Sequence, residues 1–394
     1  MRIAYVVGAF PSPSETFIAR EIAALEARGI EVHVFPLWRA AGAPADEEAG
    51  TPVHRCGWLS LRAQLRFIVP NTLWQCYLLG RAPWEPVGAL RGLWQLGRAL
   101  GMAERMRELG VERVVGHFAN APSTVAWVAA SVAGVPFCLS VHARDVFVEP
   151  QLLRQKARDA AAIVACNSAV AERAGELIDE ADREKVRLIH HGIPLDEFPF
   201  REERHEDDEE PLILGVGRLV EKKGFIHLVR AMARLRERGV AARCWLVGDG
   251  PERGALSREI EALGLHGIVE LRGWRPQGEL KMACYEQASL LAVPSVVARD
   301  GDRDGVPNVL LEAAAIGVPI VATEIGGIGD LVRDGETGLI AKPGDPDDLA
   351  RTIQAVLDDP DAAMARAQQA RAEVEARFDA ETQASKLIEA LGLA

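Results

Sequence analysis

No uninterrupted apolar run in this sequence approaches the ~20 residues that a membrane-spanning helix needs. Cys-x-x-Cys pairs are absent as well. The six cysteines (Cys56, Cys76, Cys138, Cys166, Cys244 and Cys284) are scattered with no histidine ligand set beside them. That pattern fits small buried residues in a reducing compartment better than disulfides or zinc. There is no excess of positive charge: the 394 residues carry a formal net charge of −12. That argues against a nucleic-acid protein, and any phosphate must be handled by a few placed cations. The opening residues Met1 to Val7 read as a short strand, without the long apolar core and small-residue cleavage site of a secretory leader. A cytosolic protein is expected, or one peripheral to the cytosolic face of a membrane. Neither a Walker phosphate loop nor Gly-x-Gly-x-x-Gly follows a first strand. After Gly215 and Gly217 the third glycine would fall at 220, which is Val220. The absence argues against a dinucleotide-dependent dehydrogenase.

What is present is an alternation of strand-like and helix-like runs, the mark of parallel sheets with crossover helices. With 48% apolar residues, the chain can fill two cores. Strands are expected at Ile3–Val7, Glu31–Phe35, Arg113–Val115, Pro136–Val141, Ala162–Cys166 and Val186–Ile189. Ser12 and Glu15 have the spacing of a capping box ahead of a helix that buries Ile18, Ile22 and Leu25 and stops at Gly29. Residues 201–210 are almost all charged and read as an exposed linker. Beyond them the pattern restarts, with strands at Leu212–Val216, Cys244–Val247, Val269–Leu271, Leu290–Val293 and Ile320–Ala322. The expected organisation is a first doubly wound α/β domain at 1–200, a linker at 201–210 and a second such domain at 211–378. A last helix at 379–394 should pack back across the domain boundary.

Residues 55–107 break the rhythm. They hold eight arginines against Glu85 and Glu104, a local charge of +6 in a chain otherwise at −18. Trp58, Trp74, Trp84 and Trp94, half of the eight tryptophans, lie there too. Arginine with tryptophan on helical stretches suits a membrane interface; an ordinary helical insertion with core tryptophans is the plainer reading.

The densest chemical signal is Asp304-Gly305-Val306-Pro307-Asn308-Val309-Leu310-Leu311-Glu312. Pro307 suits the first position of a helix, whose free N–H groups can bind a polar ligand. Glu312 falls about a turn and a half into that helix, so the two acids can address different hydroxyl-bearing groups of one ligand. Upstream, Gly217-Arg218-Leu219 follows a strand and Lys223-Gly224 opens a helix. An arginine fork and a compact lysine five residues apart make a sensible diphosphate clamp. Val247-Gly248-Asp249-Gly250-Pro251 and Leu271-Arg272-Gly273 are further strand-end turns. In open parallel sheets, ligands collect at such edges.

Taken together and in this order, these segments, with Gly317-Val318-Pro319-Ile320-Val321-Ala322-Thr323, resemble the family 4 retaining glycosyltransferases. Phe10-Pro11…Ser14-Glu15-Thr16-Phe17-Ile18 and Arg299-Asp300-Gly301-Asp302 resemble the branch that builds exopolysaccharides. The resemblance covers nearly the whole chain and implies the GT-B fold, two Rossmann-like α/β domains facing across a cleft. It implies that Arg218 and Lys223 bind the donor diphosphate and Glu312 the ribose hydroxyls. Asp304 and the segment Gly305, Val306, Pro307 and Asn308 would hold the transferred sugar, with Gly248 and Arg272 lining the donor site. The family motif has glutamate where Asp304 stands. In the first half, His142 in Val141-His142-Ala143-Arg144-Asp145 resembles the family's cleft histidine, which meets the sugar or its α-phosphate. Gly8 would face the donor; Ser14, Glu15 and His117 would lie on the acceptor side.

The implied reaction moves a sugar from a nucleotide diphosphate donor to a saccharide or lipid-linked acceptor, with no cofactor and no metal site. Retention without an obvious protein nucleophile suits same-face attack, with covalent catalysis by Asp304 as the alternative. Two other classes share these features: a nucleotide-sugar epimerase of the same fold, and a silent sugar-nucleotide-binding protein.

Overall fold

The computed structural model describes residues 1–12, 15–39, 50–56, 86–201, 210–276, 278 and 284–393. Packing divides the chain into two units. One comprises Met1–Cys166, Val170–Ile189 and Gln383–Ala394; the other comprises Asn167–Ala169 and His190–Thr382.

The N-terminal unit is built on six strands: β1 (Arg2–Ala9), β2 (Glu31–Trp38), β3 (Arg113–His117), β4 (Phe137–Val141), β5 (Ala160–Ala165) and β6 (Val186–Leu188). They form one parallel sheet in the order β2-β1-β3-β4-β5-β6. Central strands of such a sheet are buried on both faces, so they read as continuous apolar runs. In β1, Ala4 and Val6 enter one core with Leu139 and the helix Ala121–Ala133. Ile3, Tyr5 and Val7 enter the opposite core with Ile18, Ile22 and Leu25 of the helix Thr16–Glu26.

The C-terminal unit repeats the plan with β7 (Leu212–Val216), β8 (Arg243–Val247), β9 (Val269–Gly273), β10 (Leu290–Val293), β11 (Ile320–Thr323) and β12 (Leu339–Ala341). Their order is β12-β11-β10-β7-β8-β9, again all parallel. Leu212, Leu214 and Val216 point to one core and Ile213 to the other. The strand order runs outward in one direction from β7 and in the other from β10. The crevice between their carboxyl ends is therefore a topological switch point, where loops diverge and leave room for a ligand.

Several local expectations change. The helix Thr16–Glu26 has Glu15 at its N-cap position with no side-chain capping bond, so Ser12 and Glu15 form no capping box; the Glu15 N–H instead donates to the Ser12 carbonyl at 3.2 Å. The helix after the 304–307 loop spans Asn308–Ile316. Pro307 is its cap rather than its first turn, because ψ at 134° keeps it extended. The short edge strand β12 is a further element. Residues 190–201 pack with the C-terminal unit, ahead of the charged run. Ile193 and Phe198 are buried in its core, and Ile193 donates to the Phe378 carbonyl at 2.8 Å. Arg201 donates to the carbonyls of Glu286 and Ala288 at 3.1 and 3.0 Å; residues 202–209 lie outside the described set. Among the described residues no helix is long and apolar enough to cross a membrane.

The last helix, Ala380–Ala390, has Leu387 on its buried side, and Leu391 and Leu393 follow it into the core formed by Ile3, Tyr5 and Val7. Leu391 is fully buried, so Leu391→Ala should cost about 2–5 kcal/mol through lost burial and the cavity left behind. Glu389→Ala, at an exposed position, should stay within about 0.5 kcal/mol. Urea unfolding of the full chain checks the pair; equal effects would remove these last residues from the core.

Candidate functional site

At the switch point of the C-terminal unit, three strand-end turns are tied by backbone contacts. Gly217 N–H donates to the Val247 carbonyl at 3.0 Å, Leu219 N–H to Asp249 at 2.9 Å and Gly248 N–H to Gly273 at 2.8 Å. A Cβ on Gly248 would lie 1.9 Å from the Gly217 carbonyl oxygen, and φ there is +146°. Only glycine meets both conditions, which is why the sequence places it there.

Over this platform lies a cluster of charges. Lys223 crosses Gly217 and donates from Nζ to Asp304 Oδ2 at 2.9 Å, while Ser295 Oγ donates to the same oxygen at 2.6 Å. Lys222 Nζ sits 3.1 Å from Asp302 and 3.8 Å from Asp304 Oδ1. Asp304 is buried. Burial pushes its carboxyl up, but Lys223, Lys222 and the two hydrogen bonds outweigh this and hold it below the usual carboxylate range. The acid is thus ionised and the cluster near neutral. Gly305 follows at a point where a Cβ would meet the Asn167 amide at 2.6 Å. Val306 and Pro307 lead on to Asn308, the first helical residue. Glu312 is buried about one turn further and accepts from the Tyr285 hydroxyl at 3.1 Å.

Arg218 is exposed on the turn after β7, with no ion pair among the described residues. Arg272 stands one residue before the end of β9, paired with Glu270 at 2.7 Å and stacked 4.2 Å over the Trp245 ring. The loops bring Lys223 and Asp304 into contact, while Arg218 and Gly248 occupy adjoining turns. Lys222, Ser295 and Tyr285 are additions to the sequence reading. Lys222 was legible as a neighbour of Lys223, whereas nothing local marks the other two.

In the N-terminal unit, His142 follows β4 and is buried. Its ring lies 5.1 Å from Phe17, 4.3 Å from Phe118 and 5.8 Å from His117, stacked on the last. His117 is fully enclosed, and among the described residues neither ring nitrogen has a hydrogen-bond partner, Nε2 lying 3.7 Å from Glu21 Oε1. Burial lowers its pKa to about 3. It is a neutral core group that presents no surface to an acceptor, which corrects its reading as an acceptor-side residue. Gly8 lies within β1, and the Trp38 indole comes within 3.2 Å of where a Cβ would stand. Its missing side chain makes room for that ring. Glu15 is half-buried at the entry of the first helix, and Ser14 lies outside the described residues.

Part of the basic segment 55–107 is described. Arg98 donates to the carbonyls of Cys56, Pro36 and Leu37, and Arg107 to that of Val132. Arg55 reaches the carbonyls of Trp38 and Phe10, and Arg105 pairs with Glu108. Arg98 also lies 5.8 Å from the half-buried Trp94 ring. These arginines staple the fold, so the local excess of charge overstates what is free to meet a surface. Trp58, Trp74, Trp84, Arg62, Arg66 and Arg81 lie outside the described residues.

A parallel six-stranded sheet in each unit, with glycine-built loops at the strand ends, matches the two-domain GT-B fold. Comparison with known proteins agrees. Residues 14–197 match the family described as Glycosyltransferase Family 4, and residues 196–373 match Glycosyl transferases group 1. WcaL of Escherichia coli (strain K12), a glycosyltransferase named for colanic acid biosynthesis, is 29% identical over 388 residues, covering 90% of each chain. The amylovoran biosynthesis glycosyltransferase AmsK of Erwinia amylovora is 34% identical over 173 residues, 43% of this chain and 41% of that protein. The crystal structure of Anabaena HepE in complex with UDP superposes with a TM-score of 0.77 at 19% identity, covering all of both chains. The chain belongs to the family 4 type of glycosyltransferases and falls with their exopolysaccharide branch.

Beneath His117, Glu21 accepts from the Tyr5 hydroxyl, and burial raises its carboxyl to about 7 against the pull of that hydrogen bond. The unfolded chain releases this proton near pH ~4.3, so between there and 7 the folded state binds more protons. Stability then falls as pH rises through that window. Glu21→Gln removes the dependence. Its stability relative to wild type should improve from pH 5 to pH 8 by up to about 3 kcal/mol. A difference flat with pH in urea titrations would overturn the assignment.

Proposed function

We propose that this glycosyltransferase is a retaining enzyme that uses a nucleotide diphosphate sugar and needs no metal. It transfers the sugar to a saccharide or lipid-linked acceptor in exopolysaccharide assembly, in the cytoplasm or at the cytosolic face of the membrane. The observation that carries the reading is the cation set at the switch point. Arg218 stands exposed on one turn, Lys223 lies over the Gly217 platform, and Lys223 and Lys222 both face Asp304. HepE has been solved with UDP and with UDP-glucose, which supports a donor of this class.

In transfer, the bond between the anomeric carbon and the β-phosphate oxygen breaks, and the acceptor hydroxyl oxygen bonds to that carbon on the same face. The hydroxyl proton passes to the leaving phosphate. Negative charge grows on the diphosphate as the sugar becomes cation-like, and fixed cations outside bulk water stabilise that change strongly. Lys223 can turn from Asp304 to the phosphate while Lys222 and Ser295 keep the acid in place. Asp304 then faces the sugar, Glu312, steadied by Tyr285, takes the ribose hydroxyls, and His142 meets the sugar or its α-phosphate. Asp302 is paired with Lys222, and Asp300 accepts from the Asp302 N–H at 3.0 Å. The Asp-x-Asp spacing therefore serves its own loop, which supports chemistry without a divalent ion. Relatives named for colanic acid and amylovoran biosynthesis support a polysaccharide product.

Arg218→Ala or Lys223→Ala should each lower kcat/KM by about a hundredfold. EDTA should leave wild-type turnover intact, and the new linkage should keep the donor's anomeric configuration by NMR. Loss of activity with chelator, restored by magnesium or manganese, would falsify the metal-free clamp. Epimer formed from donor alone would instead identify an epimerase.

The two acids should divide the donor between them. Glu312→Ala should weaken free UDP, GDP or ADP, whichever binds in a thermal-shift panel, by about tenfold, a loss of ~1.4 kcal/mol. Asp304→Ala should spare the free nucleotide, because it releases Lys223, and yet abolish most transfer. Equal weakening of free nucleotide by both substitutions would contradict this division.

A further inference from the structure

Two ionisable side chains of the N-terminal unit, Asp145 and Lys156, are completely buried. One Asp145 oxygen accepts the His142 N–H at 2.8 Å, and the other accepts the Ala119 N–H. Lys156 Nζ donates to the carbonyls of Ala119 and Asn120, both at 3.1 Å, and to Ser123 Oγ at 2.8 Å. Ser123 Oγ in turn donates to the Asn120 carbonyl at 3.2 Å. All three ammonium protons and both carboxylate oxygens are therefore used, and Ala119 is gripped at both its N–H and its C=O.

A buried acid and base are a poor device for stability, since apolar residues of the same shape usually serve as well or better. Their placement points elsewhere. Phe118, directly before the gripped residue, has φ of +65°, a strained backbone for a bulky side chain that persists only when its surroundings enforce it. Its N–H donates to the Ser140 carbonyl at 2.9 Å, and its ring lies 4.3 Å from the His142 ring. The same carboxylate thus fixes the His142 backbone directly and, through Ala119, the ring packed against it.

We propose that Asp145 and Lys156 are positioning residues: they clamp the turns after β3 and β4 so that the His142 imidazole is held in its reactive orientation. The proposal rests on the role given to His142 above.

Asp145→Asn leaves one acceptor but turns an amide NH2 toward the second N–H, and Lys156→Met keeps the stem without the donors. Each should lower kcat by about ten- to a hundredfold through misplacement of His142. Donor KM should change less than about threefold, because the cation set is untouched. The assay uses whichever of the UDP-, GDP- and ADP-sugars turns over with the wild-type enzyme. Acting through His142, either change should add no further loss in a His142→Ala background, since residues that work as a unit are non-additive. Should the single variants fail to fold, Asp145→Asn with Lys156→Met removes both charges, and Ser123→Ala removes one contact mildly; the same non-additivity is expected of each. Losses that multiply with His142→Ala, or a lowered melting temperature with unchanged kcat, would overturn the positioning role. Full activity of His142→Ala alone would instead overturn the role of His142.

Discussion

The α-carbon of Gly248 lies so near the Gly217 carbonyl oxygen that a single added carbon would stand 1.9 Å from it. This approach sets the height of the platform on which the charges of the C-terminal unit rest. With the two turns pressed together, Lys223 can cross Gly217 and reach the acid at the far side of the switch point. Gly224, at φ of +62°, brings the start of the next helix against the Pro294 carbonyl, where a Cβ would stand 1.9 Å away. The lysine turn and the loop after β10 are thereby packed together. Charge placement here is a consequence of backbone packing.

The electrostatics follow from that geometry. Asp304 is nearly as inaccessible as a core leucine, and an isolated carboxylate so buried would take up a proton. Two ammonium groups and a serine hydroxyl keep it charged. Each lysine in turn stands opposite a carboxylate, Lys222 at Asp302 and Lys223 at Asp304. The cluster can exchange partners without stranding a bare charge, as the proposed diphosphate donor would require.

Much of the fold was legible because central parallel strands are apolar on both faces. Leu212–Val216 and Leu290–Val293 coincide with their expected bounds, and strand-end glycines mark the loops. The edge strand Leu339–Ala341 was missed because three residues carry no period. Ser12 and Glu15 misled because capping spacing does not fix the direction from which the chain enters a helix. His117 and His142 look alike in sequence, each following a strand, and only the ring stacked above it shows His117 to be interior. Ser295, Tyr285, Asp145 and Lys156 were beyond reach for one reason: each works through a partner set by tertiary packing. A tyrosine 27 residues from its glutamate leaves no local trace.

Leu387, Leu391 and Leu393 lie in the same core as Ile3, Tyr5 and Val7. During synthesis β1 emerges ahead of the C-terminal unit, yet part of its cover is made only after that unit. The C-terminal unit, nearly continuous from His190 to Thr382, has almost all of its residues before that cover exists. On the ribosome, then, the first-made sheet waits with one apolar face incompletely covered while the later-made sheet can close. Vectorial synthesis and structural completion run in opposite orders along this chain.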